Sequence, residues 1–350
     1  MRSRFDQIVT QRSAVEASYQ RLTSNIERDW GLYGLDTGLH SLNMSIGGLI
    51  PRKLTTIGAR SGTGKTSLVA QMFDSGSRTV NSRRCEFLFN TWELDPSLII
   101  DRLVCNKSGV TLRMLNQGAK LLDRKTLDRI NEAYRSSEGL PVFYQTVSTD
   151  INTVRELSYE FVKRCQEKSK IEGVDILPVG VIDYLNMAMF EGSGLRTYGI
   201  ADFMNGLKQL ANETGMAWVV LAQLSRGLDK ESRVPDRADF SDSAAIENAS
   251  DNLIVLYRPE YHHIRTIINP ASGEEIDSKN KILMRVLKCR DYGPGDLLMN
   301  CDVKHFRFWA EEHAWDTKYW EEYTKEKFWL DKFELTKVEQ KDAQTLIYEI

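Results

Sequence analysis

The sequence predicts an α/β fold in which a mostly parallel central sheet is flanked by helices, and three observations predict it. Between about 35 and 308, short β-branched and apolar runs alternate with helical stretches, the pattern of parallel strands joined by crossover helices. Within that region Ala59-Arg60-Ser61-Gly62-Thr63-Gly64-Lys65-Thr66 lies between the strand-like Leu54-Thr55-Thr56-Ile57 and the helix-like Ser67-Leu68-Val69-Ala70-Gln71-Met72-Phe73, the strand, glycine loop and helix order of a phosphate-binding loop. The 350 residues are 41% hydrophobic, enough for the core of one large domain with extensions.

Along the chain, residues 4 to 28 carry Phe5, Ile8, Val15, Tyr19, Leu22 and Ile26 at helical spacing, so residues 1–30 are expected to form an amphipathic linker helix that needs a partner, either its own domain or a neighbouring subunit. Trp30-Gly31-Leu32-Tyr33-Gly34 breaks that helix and opens a domain expected over 31–310. Its expected strands are Leu54–Ile57, Phe87–Asn90, Val142–Gln145, Val179–Asp183, Ala217–Leu221, Leu253–Tyr257, Ile282–Leu287 and Leu297–Val303. Beyond Phe308 aromatic residues crowd among Glu and Lys, with Trp315, Tyr319 and Tyr323 on one helical face. Residues 311–350 are therefore expected to be a helical tail.

Composition excludes some classes. A net charge of −3 argues against a basic-coated duplex binder and leaves room for a locally basic channel. No run approaches the roughly 18 apolar residues of a membrane helix, and Met1-Arg2-Ser3-Arg4-Phe5-Asp6 lacks the apolar core of a signal peptide. The chain reads as cytoplasmic. Cys85, Cys105, Cys165, Cys289 and Cys301 form no Cys-x-x-Cys pair, so they are expected to be reduced structural thiols.

The motif residues define a chemistry. Backbone N–H groups from Ala59 to Thr66, followed by Ser67 at the helix start, would cradle the phosphates of ATP, which side chains at Gly62 or Gly64 would obstruct. Lys65 reaches the β- and γ-phosphates, and Thr66 offers a hydroxyl to Mg²⁺. Asp183, ending the apolar run Val179-Gly180-Val181-Ile182, is the expected acid for that Mg²⁺, because ligands of open α/β sheets bind at the carboxyl ends of strands. Glu93 follows the strand Phe87–Asn90 and is expected to orient or deprotonate the attacking water. Gln223, after Ala217–Leu221, is placed to sense the γ-phosphate.

The order of these segments resembles the superfamily 4 hexameric helicases, in particular the RecA-like ATPase half of bacterial DnaB-type replicative helicases and the helicase halves of phage primase-helicases. Ala-Arg-x-x-x-Gly-Lys-Thr at 59–66 is similar to their P-loop, and Trp92-Glu93-Leu94 to their Leu-Glu-Met. Ile182-Asp183-Tyr184-Leu185-Asn186 resembles Ile-Asp-Tyr-Leu-Gln, and Leu221-Ala222-Gln223-Leu224-Ser225-Arg226 resembles Leu-Ser-Gln-Leu-Asn-Arg. Asp239–Glu247 matches at equal length a loop that grips single-stranded DNA, and Leu287-Lys288-Cys289-Arg290 corresponds to a Lys-x-Arg strand. The resemblance implies Arg290, with Lys288 beside it, as a finger on the next subunit's ATP, and Arg258 as the residue stacking on adenine. Alternation along a strand also projects Lys288 and Arg290 to one side.

By the same resemblance, Arg226, Arg233, Arg237, Ser241, Asp242, Ser243 and Ala244 are the expected DNA contacts, within a polar segment from 226 to 237 expected to be mobile until DNA or a neighbour orders it. Ser241 stands where the family has an arginine, which removes one phosphate-binding charge, and Ala244 replaces a glycine. Neither the family's N-terminal helical domain nor a primase domain is expected before residue 31. The implied activity is ATP-dependent, Mg²⁺-dependent translocation on single-stranded DNA by a homo-oligomeric, hexameric ring that unwinds duplex, in a bacterial host or phage-infected cell, with a primase or helicase loader as further partner. Two other readings share the P-loop: a RecA-like recombinase filament, and a non-unwinding ATP-dependent loader or regulator.

Overall fold

The computed structural model describes residues 10–26, 34–80, 82–117, 123–185, 188–189, 196–225, 233–240 and 243–310. Nine α-helices and eleven strands occur among them. In chain order they are α1 (Gln11–Ile26), α2 (His40–Ile46), β1 (Leu54–Ala59), α3 (Lys65–Gly76), β2 (Arg83–Thr91), α4 (Pro96–Ser108), α5 (Leu112–Gln117), α6 (Arg124–Glu138), β3 (Val142–Gln145), α7 (Ile151–Glu172), β4 (Asp175–Asp183), α8 (Arg196–Thr214), β5 (Ala217–Gln223), α9 (Ser243–Ala249), β6 (Asn252–Tyr257), β7 (Thr266–Ile268), β8 (Glu275–Asp277), β9 (Lys281–Cys289), β10 (Gly295–Asp302) and β11 (Arg307–Ala310).

Nine strands pair in the order β11-β10-β9-β6-β1-β5-β4-β2-β3. Every pair from β6 to β3 is parallel, whereas β9, β10 and β11 add antiparallel to β6 and to one another. β1 and β6 are buried along their whole length, which is why they read as unbroken apolar runs rather than alternating ones. Helices cover both faces: Leu68 and Phe73 of α3 pack on one, while Phe203, Leu207 and Leu210 of α8 pack on the other against Trp218 of β5. α4 and α6 share a satellite core around Val104 and Ile130.

Helix ends follow local chemistry. Asp95 caps α4 by accepting from the Ser97 N–H, with Pro96 at the first helical position and Gly109 closing the helix at φ 71°, as expected for residues that satisfy the unpaired terminal groups. Asp150 and Gly173 do the same for α7.

All eight expected strands are present, with shifted ends. β2 starts at Arg83 and β4 at Asp175, earlier than the apolar runs suggest, because the ladder continues through polar residues and Arg83 Nε donates to Asp175 Oδ2 at 2.9 Å. β10 stops at Asp302, where a turn begins, rather than at Val303. β7, β8 and β11 were not expected. α1 covers the described part of the amino-terminal helix, and Val15 and Tyr19 of its stripe are 51% and 48% exposed, so the chain leaves these two side chains half in solvent. The expected helical tail at 311–350 lies outside the described residues. All five cysteines are free and buried. No described helix is long and apolar enough to cross a membrane.

Candidate nucleotide-binding site

The parallel order places the carboxyl ends of β1, β2, β4 and β5 along one sheet edge, and the motif residues follow those ends. After β1 the chain turns through Gly62 at φ 77° and Gly64 at φ 112°, conformations that L side chains rarely adopt. A Cβ on Gly64 would also stand 2.7 Å from Phe308 Cζ. α3 starts at Lys65, so its first N–H groups and dipole point into the loop.

Lys65 Nζ donates to the Ala59 carbonyl at 3.1 Å. Burial pulls its ammonium below the ordinary lysine range, against the attraction of Asp183 and Glu93. Thr66 Oγ1 donates to Asp183 Oδ2 at 2.7 Å. Asp183 is 1% exposed, and desolvation raises its carboxyl above the ordinary range; the Thr66 hydrogen bond opposes this and the charge of Glu93 reinforces it. Glu93 is exposed two residues beyond β2, which pairs with β4 through Thr91 and Asp183. Lys65, Thr66 and Glu93 line a cavity of about 190 Å³ whose walls also include Ser61, Ser67, Phe306 and Phe308.

That cavity has one further cation among the described residues, Arg102 from α4, which the sequence reading missed. It lies well beyond Glu93 along the chain and no motif marks it; only the return of α4 over the loop brings it in.

The remaining candidates divide between the two sheet edges. Gln223 ends β5 in register with Ala59, and Arg60 Nη1 donates to the neighbouring Leu224 carbonyl at 2.9 Å. Thr63 and Ser67 are buried in the loop and the helix start. Arg258 follows β6 and, with Arg60 and Ser61, lines a second, larger cavity of about 1420 Å³. Its guanidinium carbon lies 5.0 Å from the Tyr261 ring centroid, and its buried Nε has no hydrogen-bond partner among the described residues.

Lys288 and Arg290 stand apart from all of these. β9 runs antiparallel to β6, pairing Cys289 with Asn252 at the start of that strand, so both cations emerge at the edge opposite the P-loop. Arg290 Nη1 donates to Asp251 Oδ1 at 3.0 Å, and Lys288 Nζ donates to the Glu247 carbonyl. Desolvation lowers the Lys288 ammonium below its ordinary range, and neighbouring Arg290 adds to the shift. Asp251 also accepts from Leu54 N–H at 2.8 Å and from Lys208 Nζ at 2.6 Å.

Of the expected DNA contacts, Arg226, Ser241 and Asp242 lie outside the described residues. Arg233 grips Asp239 through two bonds of 2.7 and 2.8 Å, and Arg237 pairs with Glu247 at 2.7 Å. Residues 233–237, expected to be mobile, are therefore held in place. The bidentate pair fixes the Asp239 side chain, and a capping box between Asp236 and Asp239 satisfies the backbone of a short 3₁₀ turn at Arg237–Asp239. Ser243 opens α9, and Ala244 is exposed on its first turn.

The residues present fit Mg²⁺. Asp183 Oδ1 is buried without a hydrogen-bond partner among the described residues, an oxygen that a metal-bound water would satisfy. Among the described residues no group of three or more His, Cys, Asp or Glu side chains is placed to hold a metal ion by itself.

The sheet order, the glycine loop and the acid at the end of β4 define the RecA-like P-loop class. Within that class the chain belongs to the DnaB-like helicase C-terminal domain family, whose model matches residues 34–308. The replicative DNA helicase DnaB of Treponema pallidum (strain Nichols) is 31% identical over 230 residues, 65% of this chain and 48% of that protein. DnaB of Geobacillus stearothermophilus is 22% identical across 83% of this chain and 59% of its own length. A probable plasmid replicative DNA helicase of Chlamydia psittaci is 28% identical, covering 65% and 47%. The chain thus spans about half the length of these relatives. Among solved structures, an isolated ATPase domain superposes with a TM-score of 0.73 at 19% identity, over 87% of this chain and 100% of that one. A DnaB-like replicative helicase, described with its interactions with primase, gives 0.71 at 19% identity, over 87% and 68%.

Proposed function

We propose that this chain is the motor of a ring-shaped replicative DNA helicase that binds ATP with Mg²⁺, hydrolyses it at composite sites between subunits, and uses the cycle to translocate on single-stranded DNA and unwind duplex. One observation carries the reading: Lys65, Thr66, Asp183 and Glu93 converge at one sheet edge, while Lys288 and Arg290 emerge at the other. A cation so placed cannot serve its own P-loop, and it is well placed to serve a neighbour's. Heterologous contacts of that kind close into a ring when the rotation between subunits closes and run on as a filament when it does not; the family's pattern favours the closed hexamer.

In this reading the loop N–H groups and Lys65 hold the triphosphate, and Arg258 stacks on the base. Mg²⁺, when bound by Thr66 and Asp183, would draw charge from the phosphoryl oxygens. Glu93 orients the attacking water and accepts its proton, Gln223 contacts the γ-phosphate, and the neighbouring subunit's copies of the β9 cations meet the charge that develops during transfer. DNA contacts fall to the 226–244 region. The plasmid helicase relative supports a phage or mobile-element setting, and the neighbour described with primase supports a primase as partner; a loader and a cytoplasmic setting rest on the family resemblance.

The test is ATP hydrolysis with and without single-stranded DNA, alongside strand separation at a forked duplex. Glu93→Gln should bind ATP and lose turnover; normal turnover would remove Glu93 from its role. A second reading, a non-unwinding loader or regulator, is favoured by the neutralisation of Arg233 and Arg237 by Asp239 and Glu247. DNA-stimulated hydrolysis without fork unwinding would select it.

A further inference from the structure

We propose that Lys208 of α8 is a positioning residue for the trans cation: acting through Asp251, it holds Arg290 with its charge uncancelled and its fork open to the neighbouring subunit's nucleotide. This rests on the composite-site reading above and goes beyond it, by naming what keeps an arginine that is paired within its own chain available to another.

The pairing itself raises the question. Arg290 sits on the buried Asp251, and a carboxylate that takes a guanidinium by both ends satisfies its fork and cancels its charge. Arg233 on Asp239 and Arg285 on Asp296 are held in that way, each by two bonds of 2.7 to 2.8 Å. Arg290 is held differently. Asp251 offers it one oxygen, Oδ1, at 3.0 Å. The other oxygen, Oδ2, is taken by Lys208 Nζ at 2.6 Å and by the Leu54 N–H at 2.8 Å. The second arm of Arg290 donates instead to the Asn248 carbonyl at 3.3 Å. Of the five donors of a guanidinium, those that remain have no acceptor among the described residues, and the side chain is 46% exposed.

The position of Lys208 is fixed from its helix upward. Leu207 and Leu210, on either side of it, are buried at 0% exposure in the core that α8 shares with β5, so the helix has no freedom to turn Lys208 away. Its Nζ also donates to the Arg52 carbonyl at 3.0 Å, just before β1. Held there, the ammonium does two things. It fills the oxygen that a bidentate Arg290 pair would need, and its charge balances that of Asp251, so the guanidinium keeps a full positive charge to offer. Without Lys208, only the Leu54 N–H would contest Oδ2, and Arg290 would close onto Asp251 as Arg233 closes onto Asp239. An arginine so closed presents no planar fork to phosphate oxygens.

The experiment uses the full chain with Mg²⁺ and reads steady-state ATPase and the affinity for fluorescently labelled ADP. Lys208→Met should lower kcat and kcat/KM together, roughly ten- to hundredfold, with ADP affinity within about twofold, because an interaction made only during transfer is lost while each P-loop is intact. Lys208→Arg, which keeps a charged donor on Oδ2, should retain most of the activity. The decisive readout is rescue in trans. Lys65→Ala subunits lack a working P-loop but carry Lys208 and Arg290, so mixing them with Lys208→Met subunits should raise ATPase toward about one quarter of the wild-type rate, the share of interfaces that join an intact P-loop to a correctly held finger in a random ring. Damage confined to the fold of the variant subunit would not be repaired by its neighbour. Lys208→Gln provides the same mixing test should the methionine variant not fold. Full activity in Lys208→Met, or a loss that Lys65→Ala subunits do not rescue, would overturn the proposal. The mixture of Arg290→Ala with Lys65→Ala separates the two levels: if that pair also shows no gain, the composite site itself fails, whereas a gain there without one for Lys208→Met removes Lys208 alone.

Discussion

The trans cation makes the strongest demand on the proposed ring, and its geometry gives a number. Arg290 N–H donates to the Asp251 carbonyl, and Asp251 N–H donates to the Leu54 carbonyl at the start of β1, whereas the P-loop begins at Ala59. Five strand steps of about 3.3 Å put roughly 16 Å between the two levels, beyond an arginine's reach. Lys65→Ala spoils a subunit's P-loop and leaves its finger; Arg290→Ala does the reverse. Each should be nearly inactive alone, since a finger of this kind is worth about 10³–10⁵ in rate. In rings assembled at random from equal amounts, roughly one quarter of the interfaces join an intact P-loop to an intact Arg290. ATPase activity of the mixture should therefore rise toward about one quarter of the wild-type rate if sites fire independently, and less if they must fire in sequence. The Arg290→Ala subunits should remain folded, because the buried Asp251 keeps Lys208 and the Leu54 N–H as partners when the half-exposed Arg290 guanidinium is removed. Steady-state ATPase on the mixture, with labelled subunits to verify exchange, is the assay. A mixture no more active than its parts, with exchange verified, would refute the composite site.

Gly64→Ala should abolish nucleotide binding and lower the melting temperature, since it combines φ 112° with a Cβ 2.7 Å from Phe308 Cζ; calorimetric titration with ADP checks it, and normal affinity would contradict the loop geometry. Asp183 should carry a pH signature. Its folded carboxyl titrates above the unfolded one, so the stability it leaves intact below the unfolded value is lost as pH rises through the folded one. Asp183→Asn, which keeps an acceptor for Thr66, should therefore raise stability in urea melts at neutral pH, with the gain shrinking as pH falls through the raised folded value and gone below about pH 4; a gain constant with pH would remove the desolvation argument. Ser241→Arg should tighten single-stranded DNA binding and steepen the salt dependence by about −0.7 per added phosphate contact; no change in slope would place the DNA elsewhere.

Legibility in the sequence followed burial. β1 and β5 could be read directly because strands covered on both faces need uninterrupted apolar runs, and Asp183 and Glu93 because the chain leaves such strands at the ligand-binding edge. β7 and β8 are three residues each and exposed at both ends, so they carry no hydrophobic period. β11 was hidden by Trp309, whose company of aromatic and charged residues read as the start of a tail, although Phe308 is buried against the core. Arg102 was invisible for a different reason: its place in the cleft wall depends on a helix folding back over a loop, and spacing along the chain does not encode that. The pairing of Arg233 with Asp239 and of Arg237 with Glu247 was equally hidden, since a basic residue in a polar segment gives no hint that a carboxylate will be folded against it.

β9 has a consequence that reaches past its chemistry. It is nine residues long, roughly 30 Å, hydrogen-bonded to β10 over residues 281–286 and to β6 on its other side with one register irregularity at Leu287, so the part held on both sides can neither shorten nor buckle cheaply. Lys281 at its first end lines the large cavity beside Arg60 and Ser61, and its far end presents Lys288 and Arg290. In a ring, such a beam has one foot by its own nucleotide and the other by its neighbour's. Movement at one foot arrives at the other as rigid translation, so adjacent sites would be kept in step by the stiffness of a sheet, with no relay of side-chain switches between them.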